Sequence, residues 1–285
     1  MGCQRFAHYA VSTLFVAATA TAQSRPGISL DQTMLSVTTA RGRTDTATNV
    51  MHSTSAGGDA RLELEKGSFP TMGTFSSGPH AVMIMRDGGK EIFFLNPDQK
   101  QFLSFKPFEM MEGAQKMLES MGGSMAVDTS VTRVKLDSIG PGPVIDGHPT
   151  ITYRLTSVMR MTMTMMGQRN DVDTQSTQEL QVATDLGELG DVGGMNRFAE
   201  IMQSMGFPKG SFDSLATKRR KIPGLPLRAI IHTTISTGGT TRTTDQTIDT
   251  RNVKRLPVPA SLFVVPADYK SVAMPAMPGA RAPSP

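Results

Sequence analysis

A mainly β protein with minor α is what the sequence predicts, an antiparallel sheet strongly curved into a half-open barrel with one or two covering helices. Three observations carry that expectation: a long period-2 run at 151–165, short alternating runs separated by tight turn signals, and two brief stretches that switch to helical spacing. Strand–helix alternation is missing from the pattern, which argues against a parallel α/β sheet.

The long run comes first. Ile151, Tyr153, Leu155, Met159, Met161, Met163 and Met165 share one side, Thr152, Arg154, Thr156, Arg160, Thr162 and Thr164 the other, and only Ser157 breaks the apolar side. That alternation is the mark of a strand buried on one face. At about 3.3 Å per residue the strand measures roughly 50 Å, longer than most globular strands, so it is expected to bend with a coiled sheet.

Shorter runs flank it. Ala81 to Met85 and Glu91 to Leu95 enclose Asp87-Gly88-Gly89, and Pro97-Asp98 leads into Gln101 to Phe105, which together predict a three-strand meander. Val131 to Leu136 approaches the long strand through the Asp146-Gly147 turn, and Thr177 to Thr184 returns from it after a turn at Gln168 to Asp173. Leu227 to Ile235, the Gly238-Gly239 turn and Thr240 to Val253 form a further hairpin. Asp31 to Thr39, Thr46 to Ser55 and Asp59 to Lys66 are weaker strands ahead of these.

Helical spacing occurs twice, at Phe108, Met111, Ala114, Leu118 and Met121 and at Met195, Phe198, Ala199, Met202 and Met205. Each reads as an amphipathic helix held by packing on the sheet.

Organisation follows from the ends. Arg5, an apolar stretch through Val16 and the small residues Ala20-Thr21-Ala22 have the order of a cleavable export signal, so 1–22 is expected to be a signal peptide and the mature protein periplasmic or secreted. The stretch is too short for a transmembrane anchor, and the only cysteine, Cys3, precedes it. Residues 23–270 then form the β domain and 271–285, rich in Pro and Ala, a disordered tail. With 29 basic and 25 acidic side chains over the full sequence, the charge balance is too small to argue for nucleic acid.

Chemical candidates are few. Gly122-Gly123-Ser124-Met125-Ala126 has the wrong context for a nucleophile elbow, which needs a strand-to-helix turn. His52, His80, His148 and His232 are widely separated, Asp171 and Asp173 fall in the expected turn, and Lys218-Arg219-Arg220-Lys221 reads as a solvated loop. No nucleophile, base and orienting acid can be placed on matching elements, so the reading is non-enzymatic, with no cofactor.

The 21 methionines hold most of the physical content. Met159, Met161, Met163 and Met165 admit three readings: a core without large aromatics, an adaptable apolar surface, or a soft-metal site for copper. Side chains two apart on a strand stand about 6.6 Å apart, so the metal reading needs cross-strand partners, for which Met83 and Met85 are the candidates beside Met159, Met161 and Met163. The ligand-facing reading takes Tyr153, Leu155, Met159, Met161, Met163 and Met165 from the strand and Met111, Leu118, Phe198 and Met202 from the helices.

A resemblance adds to this. Met83-Ile84-Met85-Arg86 with Glu91 to Phe102, Ile145-Asp146-Gly147-His148 before the long strand, Gly224-Leu225-Pro226-Leu227-Arg228, and Leu262-Phe263-Val264-Val265-Pro266-Ala267-Asp268-Tyr269-Lys270 resemble an uncharacterised cell-envelope domain family, a domain of unknown function similar to periplasmic lipoprotein carriers of the LolA/LolB type. The last motif has Asp268 where the family has Gly. The resemblance implies an incomplete barrel whose concave apolar side, closed by helices, receives acyl chains. The expected function is binding of a lipid, acyl chain or apolar envelope partner, with copper binding as the alternative.

Overall fold

The computed structural model describes residues 24–69, 80–107, 109, 113, 116, 120, 122–165, 167–189 and 213–273. The expected signal peptide and most of the expected tail lie outside the described residues, as do the helix centred on Met202 and the side chains of Phe108, Met111, Ala114, Leu118 and Met121. Pro107, Glu109, Gly113, Lys116 and Ser120 are helical, in keeping with the first expected helix.

Twelve strands form one sheet: β1 (Ser24–Ala40), β2 (Arg43–Ala56), β3 (Asp59–Lys66), β4 (Val82–Arg86), β5 (Glu91–Asn96), β6 (Gln101–Phe105), β7 (Ser124–Pro141), β8 (Thr150–Met165), β9 (Gln168–Ala183), β10 (Leu225–Thr237), β11 (Thr240–Pro259) and β12 (Lys270–Ser271). Their order is β12-β6-β5-β4-β3-β2-β1-β11-β10-β9-β8-β7, antiparallel except where β12 lies parallel to β6. One short helix, α1 (Asp213–Arg219), packs against β7 and β8.

The fold is thus mainly β with minor α, but the expected half-open barrel is corrected: the sheet is neither closed nor strongly curled, and β12 and β7 are its opposite edges. The long strand is accommodated by equally long neighbours instead of by curling, since β8 pairs with β9 from Thr150–Ala183 to Met165–Gln168 without a register shift. Bending is local. The β7–β8 ladder shifts between Asp128 and Arg133, and β11 bulges at Asn252, whose φ is +55°. A barrel also needs a continuous apolar interior to close over, and the apolar side of these long strands is interrupted by the row Ser157, Ser176, Thr233, Thr244 and Thr38.

Two regions differ in packing. In the short-strand half, β5 carries Ile92-Phe93-Phe94-Leu95, and successive side chains feed opposite clusters. Phe93 and Leu95 join Val82, Ile84, Val258 and Phe263, while Phe94 joins Leu64, Phe69, Ala81 and Leu103. A continuous apolar run is what a strand covered on both faces requires. The chain after β11 supplies one cover through the 3-10 turn Ala260–Phe263, and Val272 donates its N–H to Phe102 O at 2.9 Å. Ser271 therefore belongs to the sheet and not to the expected tail.

The long-strand half is packed at one end. A third cluster joins Ile28 and Leu30 of β1 to Ile145, Ala183, Leu186, Leu225 and Leu227 at the base of β8–β10. Gly224 opens β10 there with φ +110°, and a Cβ on it would lie 2.2 Å from Ala183 O, so only glycine fits.

Several turn and loop expectations change. Gln168 to Asp173 is strand, because β9 begins at Gln168 and Asp171 and Asp173 are held by Arg169, Thr162 and Arg160 across or along the sheet. The basic run is likewise not all solvated loop: Lys218 and Arg219 form the last turn of α1, and the half-buried Arg219 donates to Gln178 Oε1 at 3.1 Å.

Candidate functional site

Register arranges the methionine strand into rows that cross five strands. Tyr153, Leu180, Ala229, Ile248 and Met34 stand side by side on β8, β9, β10, β11 and β1. This row is apolar, and Leu180, Val182 and Ala229 are buried with Tyr153, Ile222, Ile231 and Ile248 packed against them. Two residues outward the row is Leu155, Gln178, Ile231, Gln246 and Ser36, and after that Ser157, Ser176, Thr233, Thr244 and Thr38. The Met159 row has Thr174, Ile235 and Arg242 as its next members.

Burial follows these rows. Leu155 is 1% exposed, Met159 and Met161 are half-buried, and Met163 is 39% exposed. The methionine side of β8 thus starts in a packed core and ends on an open surface, and the side chain of Met165 lies outside the described residues. Ile222 and α1, with Arg219 on Gln178, cover the inner rows of this face. Burial pushes the Arg219 guanidinium down from its ordinary pKa.

The candidate metal residues are not brought together. β4, with Met83 and Met85, is separated from β8 by β3, β2, β1, β11, β10 and β9, a spacing on the order of 30 Å in an open sheet. Met83 packs instead beside Leu64, Phe94 and Leu103. The strand register places a different methionine, Met125 of β7, directly opposite Met163. Among the described residues no group of three or more His, Cys, Asp or Glu gathers, and no helix is long and apolar enough to cross a membrane.

The opposite face is polar. Arg154 meets Glu179 at 2.6 Å, Arg160 holds Asp173 through two bonds of 2.6 and 3.1 Å, and Arg228 meets Asp249 at 2.6 Å. His232 Nδ1 stands 2.6 Å from Asp245 Oδ1, its neighbour across β10–β11.

One cluster on this polar side was not legible as a site in the sequence. Ser29 and Asp31 of β1 pair with Thr54 and His52 of β2. His52 Nδ1 donates to Asp31 Oδ1 at 2.7 Å, and Ser29 Oγ lies 3.1 Å from His52 Nε2. Asn252 Nδ2, on the β11 bulge, donates to Asp31 Oδ2 at 2.8 Å, and the Asn252 N–H donates to Asp146 Oδ2 at 2.7 Å. Burial works upward on the Asp31 carboxyl, but the hydrogen bonds from His52 and Asn252 outweigh it and hold its pKa below the ordinary carboxylate value. The only signal available was a pair of x-x+2 polar positions in two weak strands, Ser29/Asp31 and His52/Thr54, whose pairing the sequence does not fix. A further open depression of about 480 Å3, lined by Lys90, Glu91, Lys106 and Glu109, lies at the other end of the sheet from β8.

Comparison with known proteins gives distant likenesses only. No protein-family model matches the chain, and no curated protein matches it. Among solved structures, PNGF-II aligns with a TM-score of 0.28 at 13% identity over 86% of this chain and 31% of its own, so the chain spans about a third of that protein's length. A DUF1329 family protein from Desulfovibrio piger aligns at 0.27 and 9% identity, covering 86% of this chain and 91% of that one. A domain named for outer membrane lipoprotein sorting, from Vibrio parahaemolyticus, aligns at 0.24 and 7% identity, covering 81% and 85%. The structural neighbours thus include, at low identity, a domain of unknown function and a LolA-like domain.

Proposed function

We propose that the protein is an exported, periplasmic or secreted binding protein that uses the methionine side of β8 to hold a lipid, an acyl chain or another apolar partner, without turnover at that face. The observation that carries this reading is the exposure gradient along the strand. Leu155 is sealed, Met159 and Met161 are half-buried and Met163 is exposed, so unbranched, polarizable thioethers are presented toward the open end of the strand. A side chain kept only for packing gains nothing from such a position, while an adaptable binding surface needs it. The inner row of Tyr153, Leu180, Ala229 and Ile248 is a second apolar patch on the same face, bordered by Ile222 and separated from Met159 by the hydroxyl row of Ser157, Ser176 and Thr233.

The test is a titration of the mature protein with a fluorescent fatty-acid analogue. Saturable binding that Met163→Lys weakens about tenfold or more, with the melting temperature unchanged, supports the reading. Linear, Met163-insensitive uptake overturns it. The copper reading retains one supporting observation, the Met125–Met163 pairing across β7 and β8, because a cross-strand methionine is what a compact thioether site requires. Stoichiometric Cu(I) lost in Met125→Leu would favour it over apolar binding.

A further inference from the structure

We propose that Ser29, His52 and Asp31 form an acyl-accepting site on the polar face of β1 and β2, with Ser29 Oγ as nucleophile and His52 as its base, taking esters with a small acyl group.

The argument starts from the carboxylate. Asp31 accepts from His52 Nδ1 at one oxygen and from Asn252 Nδ2 at the other. An ionised carboxylate only accepts, so the proton of a neutral His52 sits on Nδ1. Nε2 is then left as an acceptor, and the Ser29 hydroxyl, 3.1 Å away, donates to it. Nucleophile, base and orienting acid thus stand in the hydrogen-bonded order that acyl transfer requires. Thr54 Oγ1, 3.4 Å from the same nitrogen, is the weaker competitor.

A second cross-strand pair shows what is particular here. His232–Asp245 has the same Nδ1 contact, and a threonine two residues along, Thr234, lies 3.5 Å from Nε2. A His–Asp pair with a hydroxyl at i+2 is therefore within the sheet's ordinary repertoire. At Ser29 the hydroxyl comes instead from the neighbouring strand, at a shorter distance, and the acid is pinned by Asn252 from a bulge with positive φ. Ser29 is 9% exposed, which restricts the acyl group to a small one.

In the step, Ser29 Oγ bonds to the ester carbonyl carbon while its proton passes to His52 Nε2. The carbonyl electron pair moves onto oxygen; Thr54 on β2 and Lys254 on β11 are the register partners that flank Ser29. Collapse breaks the bond to the alcohol, which leaves with the proton from His52. Water then repeats the sequence and releases the carboxylic acid.

The test uses the mature protein and a fluorophosphonate probe, whose P–F bond breaks as Ser29 Oγ bonds to phosphorus. Peptide mapping is expected to place the adduct on Ser29, absent in Ser29→Ala, slowed at least about 100-fold in His52→Gln, and unchanged in His232→Gln. Because His52→Gln removes a cross-strand pair, Asp31→Asn, which leaves the imidazole in place and removes the carboxylate that orients it, is a second variant and is expected to slow labelling as well. No adduct on Ser29 in folded protein, or a rate equal to wild type in folded His52→Gln or folded Asp31→Asn, overturns the proposal.

Discussion

The two halves of the sheet solve the same problem in different ways. In β3–β6, strands of five to eight residues are covered on both faces, and their side chains divide between two apolar clusters. In β7–β11 the strands run thirteen to twenty residues, yet apolar packing holds only their inner rows. The outer rows rest on backbone ladders and cross-strand pairs between charged or hydroxyl side chains. The lesson is that strand length and strand burial are separate quantities: β8 is long because its ladders with β7 and β9 are long, not because it is buried throughout.

Four measurements would break or sharpen that comparison. The largest effect is expected at Leu155. Leu155→Asp places a carboxylate in a fully buried position and should cost several kcal/mol in urea unfolding, about 3–5 by analogy with unpaired buried charges. Met163→Asp should stay under about 1 kcal/mol, because its site already faces water. Equal losses would show that the exposure gradient along β8 is wrong.

Next is a comparison between the halves. Leu103, fully buried in the short-strand half, should lose about 2–5 kcal/mol on truncation to Ala. Met163→Ala in the long-strand half should stay well below that. Thermal melts of the two variants decide it, and comparable shifts would mean that the outer end of β8 is covered.

Acid is the third lever. Asp31, Asp171 and Asp185 are each held below the ordinary carboxylate value. For Asp171 the hydrogen bonds from Arg169 and Thr162 do this, and for Asp185 the bond from His148 at 2.6 Å. A depressed folded pKa contributes stability that is fully present above the unfolded value of about 4 and is lost as pH falls through the folded one. Melting temperature should therefore be insensitive to these groups at pH 5–7 and drop below about pH 4, with Asp31→Asn showing a shallower drop. An Asp31→Asn profile parallel to wild type would contradict the assignment.

The smallest change belongs to the exposed ladder. Arg160→Met removes both bonds to Asp173 in a half-exposed setting and should lower the melting temperature only slightly at low salt and less at high salt. A drop as large as that of Leu103→Ala would mean that the long-strand half depends on its ion pairs more than on its ladders.

Much of the layout was legible beforehand. The long strand is expected at Ile151 to Met165 and found at Thr150–Met165, and the meander is found within a residue or two of its expected bounds. Period-2 alternation over that length has no helical equivalent, which is why this element read most clearly. The β9 start was missed because Asp171 and Asp173 have turn-forming side chains, and their partners Arg160, Arg169 and Thr162 lie on other positions of the hairpin. α1 was missed because it is a helix of only seven residues held by tertiary contact.

By itself, the sequence determined which residues alternate, which faces of β5 and β8 are apolar, and where Gly-containing turns separate the strands. These are properties of neighbours along the chain, set by side-chain chemistry and a fixed period of two. Only the tertiary structure decided how far each face is covered, that β4 and β8 stand apart, that the sheet stays open, and that Ser29, His52, Asp31 and Asn252 meet. Those outcomes depend on the order and register of strands distant in sequence, where a shift of one residue would exchange the faces, and no local pattern specifies that order.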